Sequence, residues 1–181
     1  MPEWKSFTFG EDGEATPTAE TPTPASANPA MEPDEYAAKW GTEVSEVTIA
    51  RIEAVLEGDG LPHGSSEFIA FTQLEDIPFQ VHREPADAPW AQIETRILPV
   101  GEGHTEASLQ AIANRWNTEH LQPTVFPIES EDGWILVAAS RFFVGEGLSD
   151  RQIHAMLRRG LIIGVSAAQE VPSFFDEASA E

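Results

Sequence analysis

The side chains that can move protons or hold metals are few and scattered. The five histidines are His63, His82, His104, His120 and His154. None stands at a metal-type spacing from another, or from a nearby acid on one face. The chain has no cysteine, which removes disulfides, thiolate zinc sites and cysteine nucleophiles. His63-Gly64-Ser65-Ser66 lacks the Gly-x-Ser-x-Gly pattern of a nucleophile elbow. Gly145-Glu146-Gly147 lacks the strand, GxxxxGK and helix context of a phosphate loop. Glu129, Glu131 and Asp132 cluster at a turn, but without the spacing of a calcium loop they read as solvated acids. Asn114 and Asn117 flank Trp116 near a predicted helix end. They either rim a groove or hydrogen-bond the helix terminus and the adjoining loop, and the second is expected because buried ends need such partners. No catalytic, cofactor-binding or metal-ligating residue is therefore assigned, and no enzymatic reaction is expected.

Charge and composition narrow the class further. The chain has 181 residues and a formal net charge of −21, which suits one domain with tails. Its basic residues are scattered, with only Arg158 and Arg159 adjacent. That is not the clustered pattern that tracks a phosphate backbone or an anionic membrane. Nucleic acid and membrane are thus not expected partners. The longest apolar runs, 134–139 and 161–165, are far too short to span a bilayer. The first residues, MPEWKSFTFGEDGE, have neither the basic region nor the apolar core of a signal peptide. With no cysteine, a reducing cytoplasm is the expected location.

The elements that must position any site follow from periodicity. Residues 1–43 are rich in Pro, Thr, Ala and Glu, with nine acids against Lys5 and Lys39, and are expected to be a disordered tail. Two aromatic islands interrupt it: Trp4, Phe7 and Phe9, and the stretch holding Tyr36 and Trp40. Tyr36 and Trp40 would share a face of a short helix, a candidate docking motif for another protein or for the chain's own domain. An ordered domain is expected over 44–172. Its first helix, near 44–56, carries Ile49, Ile52 and Leu56 on one face, with Thr48 as N-cap and Ser45 as the earlier alternative. Three alternating stretches follow, 67–74, 77–83 and 91–100, and predict an antiparallel meander. Pro78 marks a strand start or edge. A helix over 105–121 has the stripe Leu109, Ile112, Ala113 and Trp116, and Pro123 ends it. The turn Ser130-Glu131-Asp132-Gly133 joins 124–129 to 134–143 as a hairpin. A capping box at Ser149-Asp150-Arg151-Gln152 opens the last helix. Ile153, Met156, Leu157, Leu161, Ile162, Ile163 and Val165 leave that helix apolar on more than one face. Pro172 stops it, and 173–181 is expected to be an acidic tail. The predicted fold class is α+β: a five-stranded antiparallel sheet with three helices, in the order α-β-β-β-α-β-β-α, the helices largely on one face.

In that order, the run Ala113-Asn114-Arg115-Trp116-Asn117, then Pro123, the Asp132-Gly133 hairpin, Gly147 and the capping box at Ser149 resemble the YbjN family of bacterial sensory transduction regulators. The start Thr48-Ile49-Ala50-Arg51-Ile52 with Leu56 is similar to the opening of actinobacterial members. The resemblance covers about residues 44–172. It implies a fold like that of type III secretion chaperones, acidic dimers that bind extended segments of partner proteins. It implies no enzymatic reaction and no catalytic residues. The long Pro/Thr tail and the Pro-rich link before Trp90 depart from the family pattern.

The expected function is a non-enzymatic, protein-binding or chaperone-like regulatory domain without cofactors, its protein partner unidentified. The alternatives are a homodimeric self-association module and, behind it, a small-ligand-binding protein. The residues expected at the core or at an interface are Trp116, Trp134, Leu136, Ile153, Met156, Leu157, Ile162 and Ile163.

Overall fold

The computed structural model of the chain describes residues 7–9, 15–17, 39–83, 85, 87–99 and 103–178. The expected tail falls mostly outside these residues, Trp4 and Tyr36 included. Within it, however, two short strands pair antiparallel: β1 (Phe7–Phe9) and β2 (Ala15–Pro17), with Thr8 opposite Thr16. Aromatic and β-branched residues favour that pairing. The hairpin belongs to a unit of its own, Met1–Pro33, apart from the unit Asp34–Glu181.

In the larger unit, helix α1 (Ile49–Gly58) starts at the later of the two expected caps, with the Thr48 hydroxyl accepting from the Arg51 amide. It buries Ile52, Val55 and Leu56. Four strands follow: β3 (His63–Ser65), β4 (Ile69–Leu74), β5 (Ile77–His82) and β6 (Trp90–Ile97). Strands β4 and β5 turn on Glu75 and Asp76, both at positive φ (51° and 64°), the pairing of left-handed residues that suits a two-residue hairpin. Helix α2 (Glu106–Glu119) is capped by Thr105 and Ser108 reciprocally. The cap partner is thus Ser108, while Glu106 adds an acid to the first turn. Strands β7 (Thr124–Ser130) and β8 (Gly133–Phe143) form the hairpin that Asp132-Gly133 announces. Helix α3 (Asp150–Glu170) has the reciprocal Ser149/Gln152 cap, and a short helix α4 (Ser173–Ala178) follows it.

The sheet has six strands, in the order β3-β4-β5-β6-β8-β7, all antiparallel. Five were expected. The added strand, β3, is only three residues long and has no apolar alternation, so its pairing with β4 is set by tertiary placement and leaves no periodic signal. Strand β5 pairs with β6 only at Gln80, Val81 and His82. Pro78 lies before that stretch, where its missing amide costs no β6 hydrogen bond, and its carbonyl accepts from the Thr95 hydroxyl (2.8 Å).

All the helices pack on one face. Ala70, Phe79, Val81, Ala91 and Ile93 meet α1 and α3. Ile97, Val125, Leu136 and Ala138 meet α2, the end of α3 and Phe175. Helix α3 lies close enough to the sheet that two positions must be glycine. A Cβ on Gly160 would stand 2.5 Å from Ile93 Cδ1, and one on Gly164 would stand 2.4 Å from Phe79 Cε1. Gly164→Ala is therefore expected to destabilise. Overpacking of this kind costs about 1–3 kcal/mol, against a gain of ~1 kcal/mol in helix propensity. A lower denaturation midpoint, where propensity alone would raise it, is the result to look for.

Packed residues extend beyond 44–172 at both ends. On the C-terminal side, α3 ends at Glu170 with Val171 as its C-cap, and Pro172 stands directly before α4, where its missing amide costs no helical hydrogen bond. Phe175 is buried there and Phe174 half-buried against Trp116, so 173–175 is core and not a free tail. On the N-terminal side, residues 39–45 form a strap across the domain. Ser45 bridges Leu148 in both directions, and the Arg151 amide donates to the Gly41 carbonyl. Arg51 ties the strap to α3: its guanidinium donates to the carbonyls of Ser45 (2.8 Å), Glu46 (2.6 Å) and Leu148 (2.8 Å) and to Asp150 Oδ1 (2.6 Å).

Candidate functional site

Because every described helix packs on one side, the other face of the sheet is bare of helices among the described residues. The registers put Ile69 and Phe71, then Gln80 and His82, then Trp90, Gln92, Glu94 and Arg96, then Ile135, Val137, Ala139, Arg141 and Phe143, then Thr124, Phe126 and Ile128 on that face. Strand alternation assigns the sides, and the opposite set forms the two core clusters, while on this face Ile135, Val137 and Ala139 of the central strand β8 are also buried. Three aromatic rings stand out from the bare face. Phe71 is 41% exposed, Trp90 43% and Phe143 67%. Trp90 and Phe143 are cross-strand partners, so they form one aromatic patch.

A chain of polar contacts crosses the middle of this face. Arg141 Nε donates to Gln92 Oε1 (2.7 Å), Gln92 Nε2 donates to Glu94 Oε2 (2.7 Å), and His82 Nε2 lies 3.1 Å from Glu94 Oε1. The Arg141 guanidinium also lies over the Trp90 ring at 5.9 Å, within cation–π reach. Burial pushes the Glu94 carboxyl up. Its contacts with His82 and Gln92 and the positive charges of His82 and Arg96 outweigh that, and hold it below its ordinary value. A depressed carboxylate stabilises the fold fully above the unfolded glutamate pKa, and this contribution is lost as pH falls through the lower folded pKa. The stability advantage of wild type over Glu94→Gln is thus expected to shrink as pH drops through and below the ordinary glutamate range. Urea midpoints of both proteins from pH 7 downward measure this, and parallel curves would contradict it.

Beside the polar chain, the loop after α2 makes one wall of a depression of about 430 Å³ lined by Leu121, Gln122, Thr124, Phe126, Ala139 and Arg141 among others. Leu121 itself is 98% exposed. The loop is held from below by Trp116, whose Nε1 donates to the Pro123 carbonyl (3.0 Å) and whose ring stacks on His120 at 3.6 Å between centroids.

The sheet edges, in contrast, are closed. Asn117 Nδ2 donates to the Val125 carbonyl (2.7 Å), and Asn117 Oδ1 accepts from the Val125 amide (2.8 Å). The side-chain amide thus occupies the backbone groups that an added strand would need on β7. Trp116 takes the Pro123 carbonyl, and Pro127 has no amide to offer. The other edge, β3, is three residues long. Short or blocked edges are how sheets resist strand addition.

The residues expected at a core or interface divide sharply. Trp116, Leu136, Ile153, Met156, Leu157 and Ile163 are buried within this one chain. Trp134 is half-buried against the α2 side of the core. Only Ile162 offers surface, at 52% exposure. Asn117 bonds strand β7 beyond the adjoining loop, and Asn114 accepts from Gln110 Nε2. The bare-face aromatics Phe71, Trp90 and Phe143 were not singled out from the sequence. Their signal was available as apolar residues on the side of each strand opposite the core set. Trp40 is partly buried against the core of the larger unit. Its ring fills the space over Gly58, where a Cβ would stand 2.2 Å from Trp40 Cη2, and it lies 6.3 Å from the His154 ring.

His154 Nδ1 lies 2.7 Å from Asp59 Oδ2, but the groove they line contains no hydroxyl side chain that such a pair could activate. Among the described residues, no group of three or more His, Asp or Glu is placed to hold a metal ion, and no described helix is long and apolar enough to cross a membrane.

Fold and face together define an α+β protein with one helix-covered and one bare sheet face. The chain belongs to the YbjN family, whose model, described as "Putative bacterial sensory transduction regulator", matches residues 48–171. Among solved structures, YbjN of E. coli, described as a putative transcription regulator, aligns with a TM-score of 0.53 and 14% identity. The alignment covers 76% of this chain and 96% of that chain, a likeness of fold. The structure of the HopA1-SchA chaperone–effector complex aligns with a TM-score of 0.48 and 11% identity, over 68% of this chain and 91% of that one, too low to carry an inference. No curated protein matches the chain in sequence.

Proposed function

We propose that this protein is a non-enzymatic regulator that works by binding another protein on the bare face of its sheet. The observation that carries this reading is the aromatic set Phe71, Trp90 and Phe143 around the Arg141-Gln92-Glu94-His82 chain. Exposed aromatics around a hydrogen-bonding centre are the usual make-up of a protein-docking surface. The closed edges favour docking on the face over strand addition. Although the chain as a whole is strongly acidic, the described strand residues of this face carry Arg96, Arg141 and His82 around Glu94, with Glu129, Glu131 and Asp132 beside Arg96 at the hairpin end. At the aromatic end, where Arg141 lies over Trp90, the partner segment the face suits is apolar with an acidic side chain.

Affinity purification of the full chain and of a Trp90→Ser/Phe143→Ser variant from the source cells tests this. The expected result is a co-purifying protein reduced at least tenfold by the double substitution and retained by Ile162→Ser on the opposite side. Retention by the bare-face variant contradicts the proposal. A concentration-dependent dimer lost with the same double substitution would replace the partner by a second copy.

A further inference from the structure

The depression on the bare face joins a cation to apolar walls, and its floor is set by side-chain size. Ala139 stands opposite Thr124 and two residues before Arg141 on β8. It is the smallest side chain between Arg141, Phe126 and Leu121, so the surface is hollow there. The Leu121 wall is fixed before anything binds. Trp116 pins the loop at the Pro123 carbonyl, and the His120 amide donates to the Trp116 carbonyl (2.9 Å). A preformed wall lowers the ordering cost of binding.

Arg141 closes one end. Its Nε is held by Gln92 Oε1, which orients the guanidinium, while Nη1 and Nη2 bond no described residue. Among the described residues it is also the one charge lining the depression. Glu94, opposite Ala139 on β6, is turned to Gln92 and His82. Glu129, Glu131 and Asp132 lie beyond Gly133, eight residues along β8 from Arg141, about 27 Å at the rise of a strand. That is several screening lengths at physiological salt. An oriented fork with open N–H donors suits a carboxylate held by two bonds.

The spacing of the two subsites follows from the strand. Ala139 and Arg141 share a face and stand about 7 Å apart, and an extended segment laid on them presents its own alternate side chains at the same interval. We propose that this depression anchors the partner segment at two points: an acidic side chain on the Arg141 guanidinium, and an apolar side chain two positions away over Ala139, between Leu121 and Phe126. The inference rests on the reading of the bare face as a docking surface. It adds the residue pair the partner must carry, Asp or Glu and then, one residue skipped, Leu, Ile, Met or Phe, in either direction.

Short random peptides displayed on phage and selected on the full-length chain test this. Recovered peptides are expected to carry the pair at that spacing at least tenfold more often than the input library. A recovered peptide, made synthetically, is expected to bind at least tenfold more weakly when its acid is replaced by the corresponding amide. Arg141→Gln is expected to cause the same loss, and the two changes together little more, since both remove one contact. Ala139→Leu, which fills the floor, is expected to weaken binding tenfold as well. The change on the peptide side leaves the protein intact, so its outcome does not depend on how the variants fold. Peptides recovered without the acid, or losses that add in full when both changes are made, would overturn the two-point anchor. If Trp90→Ser/Phe143→Ser still abolished their binding, the bare face would stand as the docking surface. Peptides that bind that double variant as well as wild type would overturn both, and a library that yields no bound peptide would overturn the anchor.

Discussion

Replacing Trp116 with alanine is expected to destabilise the protein by about 3–5 kcal/mol, as for other large buried aromatics. The thermal midpoint should fall by roughly 10 °C for a chain of this size. The ring is 1% exposed, is stacked on His120, and meets the edge of Phe174 at 6.1 Å. Its loss leaves a cavity where α2, α4 and the end of α3 converge on the sheet. It also frees the Pro123 carbonyl, and with it the loop that walls the bare-face depression. Trp116→Phe keeps most of the packing but not the N–H, and should cost about 1–3 kcal/mol through the unsatisfied carbonyl. Thermal unfolding of the two variants separates packing from hydrogen bonding. Equal losses would mean that the carbonyl contact, not the ring volume, dominates.

Arg83→Ala is expected to cost at least about 3 kcal/mol, because three carbonyls lose bonds to a charged donor. The side chain is 6% exposed. It donates from Nε to the Val47 carbonyl (3.1 Å) and from Nη1 to those of Ala88 and Trp90 (2.9 Å to Trp90). It thereby joins the segment before α1 to the Pro-rich link between β5 and β6. Arg83→Lys should recover little, since one ammonium cannot reproduce the fork of the guanidinium. The exposed Trp90 ring follows directly on this anchored link, so binding at the bare face should weaken along with stability. Denaturant midpoints of the alanine and lysine variants check the first part. A lysine variant as stable as wild type would contradict it.

Much of this architecture was legible in the chain. Thr48, Thr105 and Ser149 cap the three long helices, and Asp132-Gly133 turns the last hairpin, because caps and turns are local signals written in one or two residue types. The stripe Leu109, Ile112, Ala113 and Trp116 faces the core as its spacing requires. What was not legible depends on distant partners. Strand β3 has no pattern of its own and exists through β4. Arg83 sits on a strand end that looks polar, and only the folded link shows that three carbonyls surround it. Phe174 and Phe175 looked like a tail because the pocket they fill is made by residues more than fifty positions away, Trp116 among them. The bare face was hidden for a further reason. Alternation separates the two sides of each strand, but which side the helices leave open is decided only when all of them choose the same one.

The central claim is that the bare sheet face docks a protein. The most direct measurement places a photo-crosslinking amino acid at Phe143 in the full chain inside the source cells, with Glu129 at the far hairpin end and Arg159 on the helix side as comparison positions. A discrete crosslinked protein from Phe143, absent from Glu129 and Arg159, is the predicted result. Crosslinks from Arg159 alone, or none from Phe143 while a partner still co-purifies, would contradict it.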